Sequence, residues 1–153
     1  MMNQLNDNSL YAVFSRVIRY HYSRVHMLLE KIGVYPGQPP LLFILGKQNG
    51  QSQNELAKKI HLKAATMTVM LNRMERAGLI ERRSDENDQR VSRVYLTEQG
   101  KQLGLKVNET LMVMEEECFQ NFTTEEKVLL RRLLLQMLDN LKMVCDKNCE
   151  HNS

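Results

Sequence analysis

The chain has 153 residues, of which 42% are hydrophobic and 3 are proline, which predicts one globular, mostly helical domain with a sizeable core. Its 21 basic and 18 acidic residues leave a formal net charge of +3, so any surface for nucleic acid must be local rather than spread over the molecule. The longest apolar runs, such as Leu133-Leu134-Leu135, are too short to span a bilayer, and the opening MMNQLNDNS lacks the basic and apolar regions of a signal peptide; the expected location is the cytoplasm, with no membrane partner and with the cysteines reduced.

Leu10 to Lys31 reads as one long helix, because Phe14, Val17, Ile18, His21, Val25, Leu28 and Ile32 recur at helical spacing and form one apolar face. His21 on that face reads as a hydrogen-bonded core histidine rather than a ligand or a sensor. Arg16, Arg19, Arg24 and Lys31 form the wet face. From Gly33 to Pro40 the chain breaks: Gly33 suits a helix C-cap, Pro36-Gly37 suits a turn, and Pro39 and Pro40 are tolerated only in the first turn of a helix. Leu41, Leu42, Ile44 and Leu45 then predict a short buried helix ending near Gly50.

Ser52 and Glu55 form an S-x-x-E capping box that starts the next helix. Leu56, Ala57 and Ile60 give it a core face, and His61-Leu62-Lys63 is the turn, with Leu62 buried beneath it and His61 exposed. Ala64 to Ala77 is a second amphipathic helix, closed by Gly78. Met67, Met70, Leu71 and Met74 fall at i, i+3, i+4 and i+7 and face the core, as packing rather than as a special site. The opposite face carries Ala65, Thr68, Val69, Asn72 and Arg73. Small residues let a helix sit deep in a groove, Thr and Val methyls suit thymine methyls, and Asn or Arg hydrogen-bonds base edges. Arg73 is also expected to be open to a structural ion pair with Glu75, Glu81 or Asp88.

Leu79 to Arg83 and Arg90 to Leu96 read as two antiparallel strands, with Val94 and Leu96 pointing one way and Arg93 and Tyr95 the other. The tip from Ser84 to Gln89 is polar and turn-forming. Arg82, Arg83, Arg90 and Arg93 gather on this ribbon, partly offset by the acidic tip. Helix, turn, helix and strand pair make the layout of a winged helix-turn-helix, whose second helix enters the DNA major groove. Thr97 caps a further long helix with the stripe Leu103, Val107, Leu111, Met114 and Cys118, the last read as a buried small hydrophobe; Glu115-Glu116-Glu117 is a solvated face. A second capping box, Thr123 with Glu126, starts the last helix. That helix is apolar over a wide arc from Val128 to Val144, more than one partner element can cover, which predicts a homodimer.

The stretch from Gln53 to Gly100 resembles the MarR family of bacterial transcription regulators. The resemblance is carried by Glu55-Leu56-Ala57, Thr66, Thr68, Met74-Glu75 with Gly78-Leu79-Ile80, Arg82, Asp88 with Arg90, Val94, and Leu96-Thr97 with Gly100. Pro36-Gly37-Gln38-Pro39 is similar to the family's approach to its second helix. The resemblance implies a mainly α fold with a small two- to three-stranded antiparallel β-wing. It also implies a single domain, with a DNA-binding lobe over 33–100 and a helical dimerisation region over 8–32 and 101–147. First and last helices would interlock with those of a second subunit, placing Val17, His21, Leu130, Leu134, Leu138 and Leu141 at the interface. The dimer would repress from a pseudo-palindromic operator in double-stranded DNA.

On that resemblance, base reading falls to Ala65, Thr66, Thr68, Val69, Asn72 and Arg73, and phosphate contact to Ser52, Lys58, Lys59 and Lys63. Wing contact falls to Arg82, Arg83, Asp88, Arg90 and Arg93, with Arg90 similar to the family arginine that reaches the minor groove. Many family members release DNA when a small, often aromatic, anion binds as effector; Arg16, Tyr20, His26 and Tyr35 are the candidates for lining such a pocket. One departure is that Lys63 and Ala64 stand where Ser, Asp or Pro often begins the second helix, which leaves its N-cap open.

No Gly-rich phosphate loop, paired His/carboxylate motif or nucleophile elbow is present, so the chain is read as no enzyme and as needing no cofactor. His21, His26, His61 and His151 show no zinc-helix spacing. Cys145, Cys149 and His151 form one cluster of three ligands without a fourth, so no metal is assigned. The family's peroxide-sensing branch uses a cysteine in its first helix, where this chain has none. Two rival readings stay open: a winged-helix protein-interaction module without a DNA role, and a regulator switched by metal or redox through Cys145 and Cys149.

Overall fold

The computed structural model describes residues 7–35, 37–85 and 88–150. Among them are six helices and three strands, in the order α1 (Leu10–Glu30), α2 (Gln38–Lys47), β1 (Gln51–Ser52), α3 (Gln53–Ile60), α4 (Ala64–Arg76), β2 (Ile80–Ser84), β3 (Ser92–Leu96), α5 (Glu98–Cys118) and α6 (Thr124–Glu150). The chain divides into two compact units, Met1–Met114 and Glu115–Ser153. Pro36, two residues of the wing tip, the side chain of Cys149 and all of His151 lie outside the described residues. No helix among the described residues is long and apolar enough to cross a membrane.

The helix ends follow the capping signals. At α3 the Glu55 amide donates to Ser52 Oγ (3.3 Å) while the Ser52 amide donates to Glu55 Oε2 (2.7 Å). At α6 the Thr123 amide donates to Glu126 Oε2 (2.8 Å) and the Glu126 amide to Thr123 Oγ1 (3.2 Å). Each box satisfies two amides that a helix start leaves without partners. The Ser52 amide and hydroxyl hold the Glu55 carboxyl below its ordinary value, with attraction from Arg93 and Lys59 added. A carboxyl lowered in this way adds stability above its unfolded value and loses it as pH falls through the folded one.

α4 ends at Gly78, which is left-handed (φ 69°), with Gly78 N–H donating to Glu75 O and Leu79 N–H to Met74 O, both at 2.9 Å. These paired bonds occupy the carbonyls that a helix end strands, and they require the backbone region where a Cβ is disfavoured. α3 ends with the same pair of bonds around His61 (φ 56°), where Leu62 N–H reaches Ala57 O at 2.9 Å.

The sheet has the order β1-β3-β2 and is antiparallel throughout. β3 pairs Ile80↔Leu96 through Ser84↔Ser92 with β2, and Gln51↔Val94 and Ser52↔Arg93 with β1. The strand β1 has only two residues and no alternation to betray it; Gly50 N–H donates to Val94 O (2.9 Å) and brings it alongside. Val94 and Leu96 are buried and Arg93 and Tyr95 face the other way, as the period-two pattern predicts. The core beneath is filled by Leu41, Leu42 and Leu45 of α2, Leu56 of α3, Met67, Leu71 and Met74 of α4, Ile80 of β2 and Val107 of α5.

Three expectations are revised. On α1, Leu29 is buried and Val25 half-buried, but Val17 and Ile18 are 58% and 51% exposed and His21 is exposed, so His21 is not a core histidine in the single chain. Leu62 is half-buried rather than buried. The α5 stripe is buried at Val107 and Met114 and half-buried at Leu103 and Leu111, and it runs out before Cys118, which is exposed. Periodicity marks an apolar stripe; it does not say how far along a helix the rest of the chain covers that stripe.

α4, the wing and α5 meet at one junction. Thr97 Oγ1 donates to Gly78 O (2.6 Å) and accepts from Gly100 N–H (3.0 Å), and Thr97 N–H donates to Leu79 O (3.1 Å). A Cβ on Gly100 would overlap the Leu79 carbonyl oxygen, a backbone atom that cannot swing aside. Gly100→Ala is therefore expected to lower stability by about 3 kcal/mol, read as a fall in the urea midpoint; an unchanged midpoint would show that the contact is not a close one.

Candidate nucleic-acid interface

The outer face of α4 forms because Met67, Leu71 and Met74 are buried on the core side. Ala65, Thr66 and Arg73 are exposed, and Val69 is 53% exposed. Thr68 is half-buried: its hydroxyl accepts from Gln53 Nε2 (2.7 Å) and donates to Ala64 O (2.9 Å), so it ties α4 to the start of α3. Asn72 is half-buried as well, and its Oδ1 accepts from Arg82 Nη2 (2.8 Å). Lys63 is the N-cap of α4, extended in backbone and making no side-chain cap bond.

A groove of about 740 Å³ runs along this face, lined by Tyr35, Gln38, Ala65, Thr66, Val69, Met70, Arg73 and Ala77. Gln38 is buried and Tyr35 exposed, with Tyr35 N–H donating to Gln38 Oε1 (3.0 Å). The participation of Gln38 and Gln53 was not apparent from the sequence, since a glutamine at the start of a helix carries no pattern. Of the four residues named for an effector pocket, Tyr35 alone lines this groove. Arg16, Tyr20 and His26 are exposed on α1, where Arg16 donates to Asp7 O (3.1 Å) and the Arg19 guanidinium lies 5.5 Å from the Tyr20 ring centre.

The carboxylates that the sequence offered as ion-pair partners of Arg73 hold other arginines. Glu75 pairs with Arg82 (3.4 Å), Glu81 with Arg83, and Asp88 with Arg90 (4.0 Å). Arg83 also lies over Tyr95, 4.8 Å from the ring centre. Arg93 bonds Asp85 through Nε and donates from Nη1 to Gly50 O (2.9 Å), with Glu55 Oε2 at 3.8 Å. Arg90 stands apart from the rest. Its side chain is 96% exposed, while its amide donates to Asp88 Oδ1 (3.0 Å), so the backbone is fixed and the guanidinium projects.

Among the phosphate candidates, Lys58 and Lys63 are exposed, Ser52 is occupied by its capping box, and Lys59 Nζ donates to Gln51 Oε1 (2.5 Å). Of the residues named for a subunit interface, Val17, His21, Leu134, Leu138 and Leu141 are exposed and Leu130 is half-buried. No group of three His, Cys, Asp or Glu among the described residues is placed to hold a metal ion, and Cys145 is an exposed thiol.

This arrangement has known counterparts. The sequence model of the MarR family matches residues 34–92. The HTH-type transcriptional repressor MdtR of Bacillus subtilis (strain 168) is 32% identical over 127 residues, which cover 79% of this chain and 75% of MdtR. The crystal structure of MarR shares the fold at a TM-score of 0.74 and 22% identity, over 96% of this chain and 98% of that one. A variant of S. aureus MepR bound to an oligodeoxyribonucleotide aligns at a TM-score of 0.62 and 25% identity, over 87% of this chain and 98% of that one. With a winged helix-turn-helix in place and relatives this similar, the chain belongs to the MarR family and is a DNA-binding transcription regulator.

Proposed function

We propose that the protein acts in the cytoplasm as a homodimeric repressor, seating two α4 helices in successive major grooves of a pseudo-palindromic operator. The observation that carries this reading is the exposed α4 face itself: Ala65, Thr66, Val69 and Arg73 stand out with no carboxylate among them. Small side chains permit close approach, and one long cation reaches a base edge. Lys58, exposed on the last turn of α3, and Lys63, exposed at the start of α4, are the residues to hold phosphates, and the start of α4 leaves its amides without a side-chain acceptor, which suits an anion. Arg90 is the wing residue for the minor groove, because it projects from a backbone that Asp88 holds still. Asn72 acts through Arg82 as well as on bases, since the two share a hydrogen bond.

The dimer reading is supported by unpartnered apolar surface. On α6, Val128, Leu129, Leu133, Leu134, Leu138 and Leu141 are between 42% and 66% exposed. A soluble monomer rarely leaves so large an apolar area uncovered. Two copies also suit an operator with two half-sites. A small aromatic anion in the groove lined by Tyr35, Gln38 and Arg73 would occupy the face offered to DNA and so act as an effector that releases the operator.

Selection of duplexes from a randomised pool by the purified protein is expected to enrich a pseudo-palindrome. Failure to enrich any sequence would favour the protein-interaction module instead. On the selected duplex, Arg73→Ala is expected to cost about 1–3 kcal/mol, with little loss on random DNA; equal loss on both would assign Arg73 to phosphate. Arg90→Ala is expected to leave melting temperature and dimer intact but to lower the slope of log affinity against log salt by roughly two units per dimer. Parent-like binding at every salt would remove the wing from the interface. Leu134→Asp places an unpaired charge in the subunit contact and is expected to cost several kcal/mol of association, on the order of 3. Sedimentation should then give a dimer for the parent and monomer or aggregate for the variant; a soluble monomeric parent would overturn the dimer.

A further inference from the structure

We infer that Arg93 is a positioning residue: it latches the wing to the start of α3 and so sets where Arg90 lands on DNA. The inference rests on the DNA-binding reading above. Arg93 lies in the central strand β3, opposite Ser52 of β1 and Arg83 of β2. From there its guanidinium joins three parts of the lobe. Nη1 donates to Gly50 O at the turn into β1, the same nitrogen lies 3.8 Å from Glu55 Oε2 in the capping box of α3, and Nε bonds Asp85 Oδ2 just past the end of β2. Its fork geometry suits it to hold several oxygens at once, which an ammonium group does less well.

The latch continues to the tip. Asp85 has an 11% exposed side chain, and its second oxygen, Oδ1, accepts from Asp88 N–H (3.0 Å), while Asp85 N–H donates to Val91 O (2.9 Å). Asp88 in turn accepts from Arg90 N–H (3.0 Å). The start of α3, Arg93, Asp85, Asp88 and Arg90 therefore form one unbroken series of charged or hydrogen-bonded contacts. Arg93 is at the rooted end of the series and Arg90 at the free end. With Nε turned onto Asp85 and Nη1 onto Gly50, Arg93 is set to fix a geometry rather than to hold a phosphate.

The assignment separates two effects that a DNA-contacting arginine would merge. Asp85→Asn removes a negative charge from a surface offered to a polyanion, so electrostatics alone would tighten binding. A broken latch weakens it. Binding is to be measured over a salt series on two probes: the duplex enriched by the parent from a randomised pool, and a random-sequence duplex of equal length. Arg93→Gln and Asp85→Asn are each expected to weaken binding to the selected duplex about tenfold, within the range of coupled neighbours. The double variant should be no weaker than the worse single one. The salt slope on the selected duplex should stay at the parent's value for Asp85→Asn, and random DNA should be bound at least as tightly as by the parent. Hydroxyl-radical footprints should lose protection at the flanks reached by the wing and keep it at the centre reached by α4. A simple loss of folded protein would instead thin the whole footprint evenly.

Asp85→Asn leaves β3 untouched and decides the matter alone should Arg93→Gln not fold. Tighter or parent-like binding by Asp85→Asn overturns the inference. So does an Arg93→Gln variant whose salt slope drops by roughly two units per dimer while Asp85→Asn has no effect, since that marks a phosphate contact. If the parent enriches no sequence at all, it is the operator reading that fails, before either variant is compared.

Discussion

The carbonyl of Leu79 lies against the bare Cα of Gly100 and accepts the amide of Thr97, and the placement of α4, the wing and α5 depends on that packing. Gly78 turns the chain out of α4, and Thr97 then bonds back to the Gly78 carbonyl as β3 ends. One threonine thus closes the strand pair, caps α5 and anchors the end of α4. The hairpin that leaves α4 at Leu79 must return to it at Thr97, so the wing cannot change pitch without opening this junction. Nothing larger than glycine fits at position 100, because the opposing atom is backbone and the bond it accepts is part of the closure.

The wing also answers an electrostatic difficulty. Arg83 and Arg93 stand directly opposite each other on adjacent strands, a like-charge pair that disfavours pairing. Each is drawn away to its own partners: Arg83 to Glu81 and the face of Tyr95, Arg93 to Asp85 and the Gly50 carbonyl. The acidic residues near the tip therefore do more than dilute positive charge. They hold Arg83 and Arg93 in close contacts and leave Arg90, whose side chain is 96% exposed, projecting. A count of basic residues on a ribbon overstates the number whose head groups are available to a ligand.

The helix pair, the hairpin and both capping boxes were legible in the sequence because each rests on interactions within a few residues, or on a stripe that the same lobe buries. Met67, Leu71, Met74, Val94 and Leu96 are buried as their spacing predicts. What was not legible depends on contacts distant in sequence or absent from a single chain. The strand β1 exists through its register with Val94 and Arg93, more than forty residues away. Glu75 lies within a turn of Arg73 yet pairs with Arg82, because the hairpin brings β2 beside α4. His21 and Cys118 sit on apolar stripes that continue past the point where their neighbours stop covering them. For the site, residue types on α4 identified the exposed face; which of those side chains are already engaged, Thr68 by Gln53 and Asn72 by Arg82, appears only in three dimensions.

The left-handed residue between α3 and α4 bears on how this lobe opens. α4 leaves through a glycine, which adopts that conformation freely, but α3 leaves through His61 with the same pattern of bonds. A side chain in that region raises the folded state by about 1 kcal/mol relative to glycine. The linker between the two helices is thus held less firmly than the linker between helix and wing. Fraying of the lobe should begin there, with the last turn of α3 exchanging its amides ahead of α4, so that α4 keeps its shape while α3 breathes.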